Sequence, residues 1–177
     1  MKLGIDIHHV IDHDPKFFSS LAKAVLAAGG EIHVLTGSII TENLKEELRN
    51  YGMEWTKLFS IADYYKDKPD VEMWYDSENR PWVSTELWNM AKATYAKEEG
   101  LDLVIDDTAV YGDYFTENSF AFCKIINKSG IKHRPKAVMP PAPSSLSKQK
   151  PVEEHGKVID IDNKSKIYKD ILNRKME

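Results

Sequence analysis

Three segments of this 177-residue chain each end an apolar, β-branched run on a polar side chain able to do chemistry. Leu3-Gly4-Ile5 delivers Asp6, Val34-Leu35 delivers Thr36 followed by Gly37, and Leu103-Val104-Ile105 delivers the pair Asp106-Asp107. Just beyond Asp6 stand His8, His9 and His13, with Asp12 before and Asp14 after His13. An imidazole donates and accepts protons near neutral pH. Imidazoles interleaved with carboxylates also suit Zn²⁺, Mn²⁺ or Fe²⁺, although adjacent residues such as His8 and His9 point in different directions along an extended chain. Each polar residue after a strand can equally cap the helix that follows, and His8 or His9 can simply satisfy backbone groups in a tight loop.

The elements around these residues are legible from periodicity. Phe17, Phe18, Leu21, Val25 and Leu26 recur at helical spacing after Asp14-Pro15, and Gly29-Gly30 stops that helix. Glu31 to Leu35 is then a second strand. Thr41 caps a helix carrying Asn43, Leu44 and Leu48, Gly52 ends it, and a third apolar segment runs from Trp55 to Ile61. Ser84 opens a further helix with Leu87, Trp88, Ala91, Lys92 and Tyr95, closed by Gly100 before the strand that ends at Asp106. Short apolar runs alternating with helices predict an α/β fold: a three-layer open parallel sheet flanked by helices. In such sheets ligands bind outside the carboxyl ends of the strands, where Asp6, Thr36, Asp106 and Asp107 would converge.

A strand-end acid, a strand-end Thr and a strand-end Asp-Asp pair, in that order, resemble motifs one, two and four of the haloacid dehalogenase superfamily, across roughly residues 1 to 127. The resemblance implies a HAD-like, Rossmannoid core over residues 1–133. It points to Lys92, on the helix before the acidic strand, as the third motif, although a helical lysine more usually extends its charge into solvent. It further implies a Mg²⁺-dependent phosphohydrolase acting on a small phosphomonoester, with Asp6 as nucleophile forming an aspartyl-phosphate. Mg²⁺ would be held by Asp6, Asp106 and the backbone carbonyl of His8, with Asp107 as a further ligand or a hydrogen-bond acceptor. Thr36 and the N–H of Gly37 would bind a phosphoryl oxygen at the start of a helix, and Lys92 would add positive charge. The chain departs from the pattern two residues past Asp6, where phosphatases of that family carry an acid/base Asp and this sequence has His8. It departs again at His9, where the family usually has Gly. His8 is the candidate acid/base, and the alternative is a catalytically reduced HAD-like binding protein.

The charged, aromatic stretch from Asp63 to Glu78 interrupts the alternation, and Val71–Tyr75 with Pro81–Val83 suggests a hairpin. A small flap over about 63–83 is expected, in place of a full cap domain. Its aromatics Trp74, Tyr75 and Trp82 are expected to be exposed, facing a base or sugar in a catalytic site or else a protein partner. Beyond the apolar run Phe120–Ile126, residues 134–156 read as a Pro-rich linker and 157–177 as a strand and helix docking on the core.

A net charge of −4 without a basic stripe gives no footprint for nucleic acid or an anionic membrane. A small phosphorylated substrate, a nucleotide or sugar phosphate, stays compatible because a local metal outweighs global charge. The single Cys123 allows no internal disulfide and is expected to be a small core residue. No apolar run approaches the roughly 20 residues a transmembrane helix needs. With no basic leader and apolar signal core ahead of the first strand, the expected compartment is the cytoplasm.

Overall fold

The computed structural model describes residues 1–115 and 121–125; the expected linker at 134–156 and the segment 157–177 lie outside them. Five strands form one parallel sheet: β1 (Lys2–Asp6), β2 (Glu31–Thr36), β3 (Lys57–Ser60), β6 (Leu103–Asp106) and β7 (Ala121–Lys124), in the order β3-β2-β1-β6-β7. The intervening helices are α1 (Pro15–Ala27), α2 (Glu42–Asn50), α3 (Ile61–Lys66), α4 (Thr85–Glu99) and the short α5 (Ala109–Gly112). The α/β architecture expected from the alternation is thus present. Among the described residues no helix is long and apolar enough to cross a membrane.

The order of strands places the site. From β1 the chain steps outward to β2 and β3 on one side, and later returns to place β6 on the other side of β1. The point where the direction reverses lies between β1 and β6, and there the loops leaving the two strands part and open a crevice. Ile5 pairs with Ile105, so the next residues, Asp6 and Asp106, leave neighbouring strands at one level.

Two apolar layers sandwich the sheet. Leu3, Ile5, Ile32 and Val34 pack against Phe18 and Ala22 of α1 and Leu44 and Leu48 of α2. Leu35 and Val104 face the opposite way, onto Tyr65 of α3 and Ala91, Tyr95 and Ala96 of α4. The helix boundaries follow local capping chemistry. Thr41 Oγ1 accepts from the Leu44 N–H at 3.2 Å and Ser84 Oγ from the Leu87 N–H at 3.3 Å. Gly100 ends α4 at φ 65°, a left-handed conformation that costs glycine little.

Several expectations need correction. The stretch from Asp63 does not begin as an irregular insertion: Ser60 Oγ accepts from the Asp63 N–H at 3.0 Å, and α3 starts directly after β3. The hairpin is confined to β4 (Trp74–Tyr75) and β5 (Pro81–Trp82), joined by antiparallel pairing. Tyr75 is exposed and Trp74 half-buried, but Trp82 is only 6% exposed, because its ring packs against Trp88 of α4. Phe17, expected on the buried face of α1, is 56% exposed. Cys123 is exposed and not a core residue, since β7 is the last strand of the described sheet order and, among the described residues of its stretch, Phe122 and Ile125 are the ones that pack inward.

Candidate functional site

The apolar run after β1 does not continue as strand. Ile7, Val10 and Ile11 are buried, yet residues 7–11 wind into an irregular turn in which His8 is extended and His9 is left-handed at φ 64°. Asp12 holds this turn: its Oδ1 accepts the His9 N–H at 2.5 Å, and its Oδ2 lies 3.6 Å from His8 Nδ1. Left-handed backbone in a residue other than glycine is uncommon, and here a carboxylate fixes it from within the turn.

At the strand ends a buried lysine joins two buried carboxylates. Lys92 Nζ donates to Asp6 Oδ1 and to Asp106 Oδ2, each at 2.5 Å, with its own side chain 2% exposed. The solvated position usual for a helical lysine is therefore not the one Lys92 takes. Its ammonium also sits 4.5 Å from the centre of the Tyr111 ring. Burial works against the Lys92 charge, but Asp6 and then Asp106 outweigh it and hold the pKa above the usual lysine range. Asp6 is pushed up to about 7: burial dominates, Lys92 opposes it and the negative charge of Asp106 adds to it.

Asp106 serves the cluster and the loop after it, without capping α5. Its Oδ2 takes Lys92, while its Oδ1 accepts the Thr108 N–H at 2.8 Å and shapes the loop toward α5. Asp107 is half-buried and accepts the Thr108 hydroxyl at 3.0 Å. Carboxylate oxygens of Asp6, Asp106 and Asp107 lie within 4.8 Å of one another, and among the described residues this is the group of acids and imidazoles that converges. The histidines of the turn do not form a second such group, so the transition-metal arrangement sketched from their spacing is not assembled. Three carboxylates against one ammonium leave an excess of negative charge, and an all-oxygen donor set suits a hard divalent cation. The residues therefore fit Mg²⁺. The imidazole of His8 is outside the group and turns to Asp12, whose carboxylate raises its pKa first of all, against the opposing effect of burial and with help from Asp6.

Thr36 and Gly37 are placed differently from expectation. No helix begins there: α2 starts at Glu42, and residues 37–41 form a loop tied to α3 by the Ile40 N–H on Asp63 Oδ2 at 2.8 Å. Thr36 is 1% exposed and its Oγ1 accepts the Ser38 N–H at 3.1 Å. The loop residues Gly37 and Ser38, and not Thr36, line the cleft. A Cβ on Gly37 would meet Trp88 Cζ2 at 2.8 Å, so glycine is what allows the loop to pass over that ring.

The cleft itself has a volume of about 560 Å³ and reaches from Asp6, His8 and Lys92 to the hairpin and α4. Its outer wall includes residues the sequence reading did not single out as site residues, among them Arg80, Asn89 and Tyr111. The hairpin turn is organised by Asp76, which accepts from the N–H groups of Glu78 and Arg80 at 2.9 Å each, from Arg80 Nε at 2.6 Å and from Trp82 Nε1 at 3.1 Å. The run Asp76-Ser77-Glu78-Asn79-Arg80 between Trp74-Tyr75 and Pro81-Trp82 is the signal for this wall.

Fold and site together define an α/β protein with a parallel sheet and a lysine-bridged acidic cluster at its switch point. Compared with family models, curated proteins and solved structures, the chain gives no match to any of them.

Proposed function

We propose that this chain is a Mg²⁺-dependent phosphohydrolase with a HAD-like core, hydrolysing a small phosphomonoester through an aspartyl-phosphate on Asp6. The observation that carries the reading is the buried Lys92 ammonium shared by Asp6 and Asp106, beside Asp107 and at the floor of a cleft. A carboxylate so positioned beside a cation in a cleft supports catalysis, because displacement at phosphorus needs a positioned nucleophile, cationic neutralisation and a proton donor for the leaving oxygen.

Lys92 holds Oδ1 of Asp6 and so fixes the carboxylate, leaving Oδ2 without a hydrogen bond among the described residues. In the first step Oδ2 forms a bond to phosphorus as the bond to the ester oxygen breaks. The leaving oxygen takes a proton from His8, whose Nδ1 faces Asp12 and whose Nε2 is the donor. In the second step His8 takes a proton from water, the water oxygen bonds to phosphorus, and the Asp6–phosphorus bond breaks to release inorganic phosphate. Mg²⁺, held by Asp6, Asp106, Asp107 and the His8 carbonyl, would neutralise the repulsion between carboxylates and phosphoryl oxygens. The Gly37–Ser38 loop, shaped by Thr36, offers backbone and hydroxyl donors to those oxygens.

The test is phosphate release from a panel of phosphomonoesters, with and without Mg²⁺, by the full chain and its Asp6→Asn variant. Release that depends on Mg²⁺ and vanishes in the variant is expected. A folded, Mg²⁺-binding chain that releases no more than the variant is instead the catalytically reduced binding protein.

A further inference from the structure

One wall of the cleft takes no part in the chemistry at the strand ends. Trp82 and Trp88 pack with ring centres 5.0 Å apart and planes tilted by 36°. Trp88 Nε1 donates to the Tyr111 hydroxyl at 3.2 Å, and Tyr111 lies over Lys92. An aromatic surface therefore leads from the hairpin to the ammonium that grips Asp6. Both indole N–H groups are already used, Trp82 on Asp76 and Trp88 on Tyr111, so these two side chains offer a ligand their apolar rings.

Polar recognition groups stand in the same cleft. Asn79, from the hairpin turn, and Asn89, from α4, both line it, and neither side-chain amide has a hydrogen-bond partner among the described residues. Each amide offers two donors and an acceptor. Arg80 already pairs through Nε with Asp76 at 2.6 Å and through Nη1 with Glu78 at 3.1 Å, and Lys92 with its two carboxylates, so both cations have charge partners within the chain. A flat ring with hydrogen-bonding edges uses such a wall; a bare sugar leaves it uncovered. The volume of about 560 Å³ falls within the range of small-molecule pockets.

We propose that the substrate is a nucleoside monophosphate whose base lies on the Trp82–Trp88–Tyr111 wall with its edge toward Asn79 and Asn89. The assignment rests on the phosphohydrolase reading for where the phosphate sits. Two measurements separate the two. Turnover by the full chain with Mg²⁺ is compared for AMP, GMP, CMP and UMP against ribose 5-phosphate, which lacks only the base. Calorimetric titration of the Asp6→Asn chain with AMP and with ribose 5-phosphate reads binding without turnover.

At least one nucleotide is expected to exceed ribose 5-phosphate in kcat/KM by roughly 5- to 150-fold, the contribution of one stacked base. Trp88→Ala is expected to reduce that ratio to near unity and Trp88→Phe to keep most of it, which separates loss of the ring face from loss of the fold. Equal kcat/KM for all five esters, with AMP binding the Asp6→Asn chain no more tightly than ribose 5-phosphate, overturns the base site and leaves the phosphohydrolase standing. Base-dependent binding with no phosphate release from any ester supports the base site and removes the phosphohydrolase.

Discussion

Replacing Lys92 with Met tests whether the triad is as tightly interlocked as its geometry states. Methionine keeps the length and apolar stem of the side chain, so packing on α4 changes little. What disappears is the ammonium between Asp6 and Asp106, whose side chains are 7% and 0% exposed. Removing one partner of a buried ion pair costs about 3–5 kcal/mol, because the charge left behind can neither reach water nor pair. Here two carboxylates are left facing each other, and because burial already raises Asp6, a proton shared between them relieves part of the repulsion, so the whole of that range is kept. For a chain of this size the loss corresponds to a fall in Tm of roughly 6–20 °C. Thermal and urea unfolding of the full chain in EDTA reads it. The double variant Asp6→Asn with Lys92→Met removes one of the two orphaned charges and is expected to recover part of the loss. If Lys92→Met shifts stability by less than about 1 kcal/mol, as an exposed lysine does, the triad described here is wrong.

Other consequences follow from the same geometry. His8→Asn is expected to lower kcat by about 10²–10⁴-fold while leaving Mg²⁺ binding in place, measured by steady-state kinetics beside a metal titration. Mg²⁺ is expected to stabilise the wild-type chain by about 2.7 kcal/mol at a hundredfold excess over Kd, read as a raised unfolding midpoint; Asp106→Asn removes most of that rise, and an unchanged rise in the variant places the metal elsewhere. Asp76 gives a pH dependence. Burial pushes its pKa up, but the Arg80 N–H, the Trp82 indole and the Arg80 guanidinium together hold it below the model-peptide value of 3.8. A depressed carboxylate stabilises the fold fully above its unfolded pKa and loses that contribution as pH falls through the folded one. The hairpin is therefore expected to loosen below about pH 4, seen as a shift in the Trp82 indole resonance, and Asp76→Asn is expected to show the loosened state at every pH.

What the sequence made legible was local. Thr41, Ser84 and Gly100 announce helix ends because capping acts within three residues, and strand-end polar residues such as Asp6 and Asp106 stand out against apolar runs. Topology then does the rest, since the crevice between β1 and β6 needs only the order of strands. What stayed hidden depends on contacts distant in sequence. The resemblance singles out Lys92, but its burial depends on Asp6, 86 residues away, and Asp106, which no helical periodicity reveals. Trp82 is covered by Trp88 across the hairpin junction, and Cys123 is exposed because its strand ends the described sheet order, a position that an apolar run does not announce. Thr36 Oγ1 accepts the Ser38 N–H within the loop before α2, a local contact that its strand-end position does not announce.

The central claim is a covalent bond between Asp6 and phosphorus, and trapping it is the most direct measurement. The full chain is quenched during Mg²⁺-supported turnover of a nucleoside monophosphate and treated with borohydride, which reduces an acyl phosphate but not a free carboxylate, and the peptide containing residue 6 is read by mass spectrometry. Conversion of Asp6 to homoserine, absent when substrate is omitted, is the expected result. Phosphate release that proceeds with Asp6 unmodified, or that survives in Asp6→Asn, would contradict the account.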